Sequence, residues 1–175
     1  MVVGRQTYID GYGVRRTIRK LLPRFEERSK AMVRVYLAGA IEETGYRTAT
    51  TDKYSNLMTI VDPLVEVEAV IIKSDLADVI MKKRKLSKEE KDRIVEQDKL
   101  CIDTCDILVA YVRKYSAGTM MEILHAWNCQ KTIYLIDPTG NFREDVWIDS
   151  HVTRAFDSIE DCFDFIVESS EIYGP

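Results

Sequence analysis

Two carboxylates stand where apolar side chains are expected. Glu122 lies among Met120, Met121, Ile123, Leu124 and Trp127. Asp98 falls in the middle of a stripe formed by Ile94, Val95, Cys101, Ile102 and Cys105, which recur at helical spacing. An unpaired buried carboxylate is costly, so Asp98 must find donors, lie at the mouth of a cleft, or take an upward pKa shift and hold a proton. Two carboxylates in unlike surroundings suit cleavage at an anomeric carbon. One is kept ionised to attack or to stabilise oxocarbenium charge, and the other protonates the leaving group. Tyr36, in "VYLAG", supplies a hydroxyl that could orient the nucleophile. Each residue also has a plainer reading: a first-turn helix charge for Glu122, a salt bridge or cap for Asp98, a half-buried core tyrosine for Tyr36.

The elements that must position them follow from pattern. "VRVYLAGAI" reads as a buried strand ending in a glycine turn, and "VEVEAVII" (65–72) as a second strand whose alternation suits an edge. "LSKEEKDRIVEQDKLCIDTC" is a helix, with Ser87 and Glu90 at capping-box spacing. There follow strand "DILVAYV", a small-residue turn, helix "GTMMEILHAWNCQ", strand "TIYLI", loop "DPTGNFRED", a short helix near Trp147, a brief strand near Ala155–Phe156, and a terminal helix "SIEDCFDFIVESS". Glu122 then sits in the first turn of its helix, where the dipole favours its charged form. Continuous apolar strands separated by helices predict an α/β, flavodoxin-like or Rossmann-like parallel sheet of about five strands with helices on both faces. Ligands bind such sheets beyond the C-terminal strand ends, where the turns at Gly39, Ser116 and Gly118 fall.

At 175 residues and 46% hydrophobic, the chain can bury one sizeable core. The apolar runs are far shorter than the roughly 20 residues of a membrane span, and no signal-peptide pattern opens the chain. A soluble, cytoplasmic protein is expected. Cys101, Cys105, Cys129 and Cys162 have no zinc-type spacing and read as reduced core thiols. Residues 1–34 carry nine Lys or Arg against three acids, and the remainder 16 against 26. Residues 1–31 are therefore expected to be a basic extension, amphipathic or partly disordered, and residues 32–175 the catalytic domain. The acidic body argues against tracking a nucleic acid.

Taken in order, "VYLAGAI", "EQDKLCIDTCDILVAYV", "SAGTMMEILHAW" and "KTIYLI" resemble the nucleoside 2-deoxyribosyltransferase family, and "DVWIDSHVTRAFDSIEDCFDFI" is similar to that family's C-terminal end. The resemblance covers roughly residues 33–168, apart from much of 44–85. It implies Glu122 as nucleophile, Tyr36 as its hydrogen-bond partner, and Asp98 as the group that contacts the base and handles its proton. Gly39 and Gly118 would let backbone approach the sugar. It further implies a homodimer or higher homo-oligomer with shared sites, in which Asp145 and Trp147 reach a neighbour's cleft, and no metal or organic cofactor.

Departures from the family leave the substrate open between a nucleoside and a nucleotide. Ser116, six residues before the glutamate, is what related nucleoside 5'-monophosphate N-glycosidases tend to have, where deoxynucleoside enzymes have Asp. Yet "AIEETGYR" lacks those glycosidases' basic Gly-rich loop, and Glu42 and Glu43 would repel phosphate. Arg47, Arg113 and Lys114 are the candidates to offset them. A dinucleotide enzyme would need G-x-G-x-x-G, which neither "LAGAIEETG" nor "SAGTMME" supplies. Cytokinin-type phosphoribohydrolases share "GTMME" but need Pro-Gly-Gly before it. The single "EILH" favours a structural His125 over a metal ligand. The non-enzyme rival is a module that binds a nucleoside or nucleotide without breaking it.

Overall fold

The structure, a computed structural model, describes residues 5–9, 15–19, 32–41, 44–67 and 85–172. The chain divides into two units, residues 1–31 with Pro175, and residues 32–174. In the first, β1 (Arg5–Ile9) pairs antiparallel with β2 (Arg15–Arg19), setting Arg5 opposite Arg19 and Ile9 opposite Arg15. The arm thus contains two paired strands within residues 5–19, and the remainder of the expected extension lies outside the described residues. The β-branched Thr and Ile of "RQTYI" and "RRTIR" suit a strand.

The second unit follows the order β3 (Arg34–Gly39), α1 (Thr44–Tyr54), β4 (Thr59–Val61), α2 (Pro63–Val67), α3 (Lys88–Thr104), β5 (Ile107–Tyr111), α4 (Ala117–Asn128), β6 (Thr132–Ile136), α5 (Val146–His151), β7 (Arg154–Phe156) and α6 (Ile159–Ile172). Its sheet is wholly parallel, in the order β4-β3-β5-β6-β7. This is the flavodoxin-like arrangement, with the strand order reversing between β3 and β5. Tyr36, Ala38, Leu108, Ala110, Ile133 and Leu135 pack on one face against Cys101, Ile102, Ile123, Ala126 and Ile148 of α3, α4 and α5. Val35, Leu37, Val109 and Ile136 pack on the other against Tyr54 of α1 and Cys162, Phe163 and Ile166 of α6. Among the described residues no helix is long and apolar enough to cross a membrane.

Two readings need correction. The edge strand is Thr59–Val61, not residues 65–72. Val65–Val67 belong to α2, and the rest of "VEVEAVII" lies outside the described residues. Pro63 suits a first helical position, and Asp62 Oδ1 accepts from the Leu64 amide at 3.0 Å, so "DP" opens a helix. On α3, Cys101 and Ile102 are buried, as is the C-cap Cys105, but Val95 is 50% exposed. At 17 residues this helix is about 25 Å long, while five-residue strands span about 17 Å. No residue of α3 before Cys101 is buried, so the helix packs on the sheet through its C-terminal turns. Asp98 sits at that transition.

Candidate active site

Tyr36 is completely buried under α3 and α4. Its hydroxyl donates to Glu122 Oε1 at 2.9 Å, across 86 residues of sequence. Burial, reinforced by the charges of Glu122 and Asp98, holds the phenol far above its ordinary value, so it stays a donor. Asp98 Oδ1 is buried without a hydrogen-bond partner. Burial pushes Asp98 up to about 6, against weaker downward pulls from the Tyr36 hydroxyl and the Arg47 charge. Glu122 is pushed up to about 7 by burial first and by Asp98 second, against the Tyr36 hydrogen bond and Arg47. The three residues thus form one electrostatically coupled group carried by β3, α3 and α4.

Glu122 is not in the first helical turn. Ser116 is the N-cap of α4, its Oγ accepting from the Thr119 amide at 3.4 Å, and Glu122 is the sixth residue of a helix beginning at Ala117. The dipole acts within the first turn. At the second turn desolvation dominates, so the carboxylate is made easier to protonate, the reverse of the expected direction.

Arg47 underlies the group. Its guanidinium is 2% exposed and donates to the carbonyls of Leu37 (2.7 Å) and Gly39 (3.0 Å) and to Asp62 Oδ1 (3.0 Å). It is therefore committed to the C-terminal end of β3 and turned away from any phosphate role. Arg113 and Lys114 lie exposed after β5, and Glu42 and Glu43 lie outside the described residues. A Cβ at Gly39 would come within 2.5 Å of the Tyr46 hydroxyl, which donates to the Ala38 carbonyl. The glycine makes room for that tyrosine, which stacks on Tyr111 at 4.4 Å. At Gly118 the nearest atom to a Cβ is Ser116 Oγ at 3.8 Å, so the start of α4 is open.

Asp145 and Trp147 lie elsewhere in the chain, beside a cleft of about 330 Å³ between α4 and α5 that Tyr115, Met121 and His151 also line. Asp145 caps α5, accepting from the amides of Trp147 and Ile148 at 3.0 and 3.1 Å. Trp147 is 74% exposed. The loop before them hangs on Asp137, a fully buried carboxylate that the sequence reading passed over. It accepts from the amides of Thr139, Gly140, Phe142 and Arg143, and these bonds hold it below the usual carboxylate range although burial pulls upward. "DPTG" is an Asx-turn signal that could have flagged it. Among the described residues, neither Glu122 nor Asp98 belongs to a group of three metal donors.

No family model matches the chain, and no curated protein does. Among solved structures, a 2-deoxyribosyltransferase from Bacillus psychrosaccharolyticus aligns at TM-score 0.56 with 17% identity, over 74% of this chain and 90% of that one. A conserved protein from Enterococcus faecalis aligns at 0.56 with 16% identity, over 79% and 99%. A CMP N-glycosidase from Clostridium botulinum reaches a TM-score of 0.45 at 16% identity, over 80% and 99%, too distant to bear on substrate. At these identities the likeness establishes the fold. The α/β flavodoxin-like unit of this chain is one that a 2-deoxyribosyltransferase also has.

Proposed function

We propose that the chain belongs with the nucleoside 2-deoxyribosyltransferases and cleaves or transfers at the N-glycosidic bond of a (2'-deoxy)nucleoside. The observation that carries this is the Tyr36–Glu122 hydrogen bond with Asp98 coupled to it. Tyr36 holds Oε1 and leaves the other carboxylate oxygen free to attack C1'. A carboxylate with its pKa near 7 is more basic than an ordinary one, hence a stronger nucleophile once ionised. As the new C1'–O bond forms, the C1'–N bond breaks and the base leaves with a proton delivered through Asp98. A second base, or water, then attacks C1' from the opposite face and releases Glu122, with net retention. The fold shared with a 2-deoxyribosyltransferase supports the same reading.

The site is completed by a second copy of the chain in a homodimer or higher homo-oligomer. Exposed Tyr115, Met121, Val146 and Trp147 give one side of the domain an apolar surface that self-association would cover. A 5'-monophosphate substrate is the second reading, resting on Ser116 beside the open start of α4, and the commitment of Arg47 to β3 counts against it.

The test is incubation with nucleosides and their monophosphates, with and without a second free base, followed by chromatography. Free base or an exchanged nucleoside is expected, and Glu122→Gln should release at least about a thousandfold less. Tight binding without any base release would instead make the chain a sensor.

A further inference from the structure

At the opposite end of α3 and α4 from the start of α4 lies a second constellation. Asp103 occupies the last turn of α3, His125 the last turn of α4, and Cys129 is the C-cap of α4. The thiol is exposed, whereas Cys101, Cys105 and Cys162 are buried, so the expectation of four core thiols fails at this one. His125 Nε2 lies 2.9 Å from Asp103 Oδ1, Cys129 Sγ lies 3.3 Å from the same oxygen, and Sγ and Nε2 are 3.7 Å apart.

We propose that Asp103, His125 and Cys129 form a zinc site with an open fourth position. Ligand bonds of about 2.0–2.3 Å at tetrahedral angles separate N from O by about 3.3 Å and S from either by about 3.5 Å. Each observed edge is within a few tenths of an ångström of that triangle. A catalytic Cys-His-Asp relay would need the imidazole to use one nitrogen toward the thiol and the other toward the carboxylate. Here both partners meet the same Nε2, so the three atoms converge on a point and cannot pass a proton through the ring. Two helix C-termini also end at this place, and their partial negative charge favours a cation. The opposing charge is Lys131, whose ammonium is held by the carbonyls of Asp103 and Cys105 at 2.6 and 2.7 Å.

The backbone fixes the triangle. After Cys129, Gln130 takes φ 57°, the Gln130 amide bonds the Trp127 carbonyl, and the Lys131 amide reaches back to Ala126. That turn holds Cys129 and Lys131 against α3. On binding, the thiol proton passes to solvent and the thiolate, the imidazole nitrogen and the carboxylate coordinate the ion. The ion would bridge the two helices that carry Asp98 and Glu122, with its fourth position left to water or an exogenous ligand.

The test uses the full-length, reduced, metal-stripped chain titrated with Co²⁺ and then Zn²⁺. One Co²⁺ per chain should produce a thiolate-to-cobalt charge-transfer absorption that Zn²⁺ displaces. Cys129→Ser should abolish that absorption, and His125→Gln or Asp103→Asn should each weaken Zn²⁺ binding at least about tenfold. Zn²⁺ should raise the melting temperature of the wild-type chain and not that of Cys129→Ser. Asp103 and Cys129 are exposed and His125 is half-buried, and the substitutions are close in size, so circular dichroism should match wild type without metal. Absence of the thiolate band at stoichiometric Co²⁺, or its persistence in Cys129→Ser, overturns the proposal and leaves a hydrogen-bonded cluster at the helix ends.

Discussion

Glu122 and Asp98 both take up protons more readily in the folded chain than an exposed carboxylate does, by about 7 and about 6 against ordinary values near 4. In the proposed reaction, attack needs Glu122 ionised and departure of the base needs Asp98 protonated. The rate kcat/KM should therefore follow a bell with apparent pKa values of about 6 and about 7 that belong to the pair. Asp98→Asn should remove the falling limb. It should also move the rising limb to lower pH, because the Asp98 charge is one of the causes that raise Glu122. A bell unchanged in the Asn variant would return Asp98 to a purely structural role. Stability gives an independent check. A raised folded-state pKa means that folding takes up protons, so the associated stability is fully present below about pH 4 and lost as pH rises through the folded value of about 7. Glu122→Gln should then be more stable than wild type at pH 8 by roughly 1–3 kcal/mol, the gap closing toward pH 4, as urea denaturation at the two pH values will show. The position of these residues was legible because a lone acid in an apolar stripe is a contradiction that needs resolving. The direction of the Glu122 shift was not, because it is set by how deeply the packing of α4 on β3 and α3 buries the carboxylate, which the pattern of α4 by itself does not give.

At the level of elements, legibility followed how ordinary the buried face is. β3, β5 and β6 are continuous apolar runs, and α3 announces itself by the Ser87–Glu90 capping box, in which each side chain meets the other's backbone amide. Helix α1 gives no such signal. Its buried face is Tyr46, Arg47, Thr50 and Tyr54, a helical stripe written in an arginine, a threonine and aromatics that no apolar count detects. Only the finished fold shows why it is tolerated: the guanidinium and the Tyr46 hydroxyl find the carbonyls at the end of β3. Strand β4 failed for a different reason, since three residues are too few to establish alternation. The turn closing α4 makes a prediction at this scale. Gln130 holds φ 57° in a position where glycine avoids the steric penalty of a Cβ. Gln130→Gly should stabilise the domain by about 0.5–1 kcal/mol after the entropy of the unfolded chain is counted. A lower midpoint in urea would mean that the Gln130 side chain contributes more than its backbone strain costs.

For the whole molecule, the decisive matter is where the acid pair stops and the rest of the site begins. One chain brings together Tyr36, Glu122 and Asp98, yet its own Asp145 and Trp147 lie beside the α4–α5 cleft, with the indole left 74% exposed. Trp147 stacks on His151 at 5.7 Å and still leaves most of its indole exposed, and the proposed second copy would cover it. If sites are shared, a Glu122→Ala chain and a chain altered at Asp145 should complement each other. The second alteration should be Asp145→Ser, because Asp145 also caps α5 and serine preserves that cap while removing the carboxylate. Random reassortment of two inactive homodimers makes about half of all dimers mixed, and each mixed dimer has one site with both contributions intact. Activity should therefore recover to about a quarter of the wild-type value per chain. Mixed oligomers verified by mass that stay inactive, while Asp145→Ser alone is impaired, would show that Asp145 acts within its own chain. Full activity of Asp145→Ser alone would remove the residue from the site altogether.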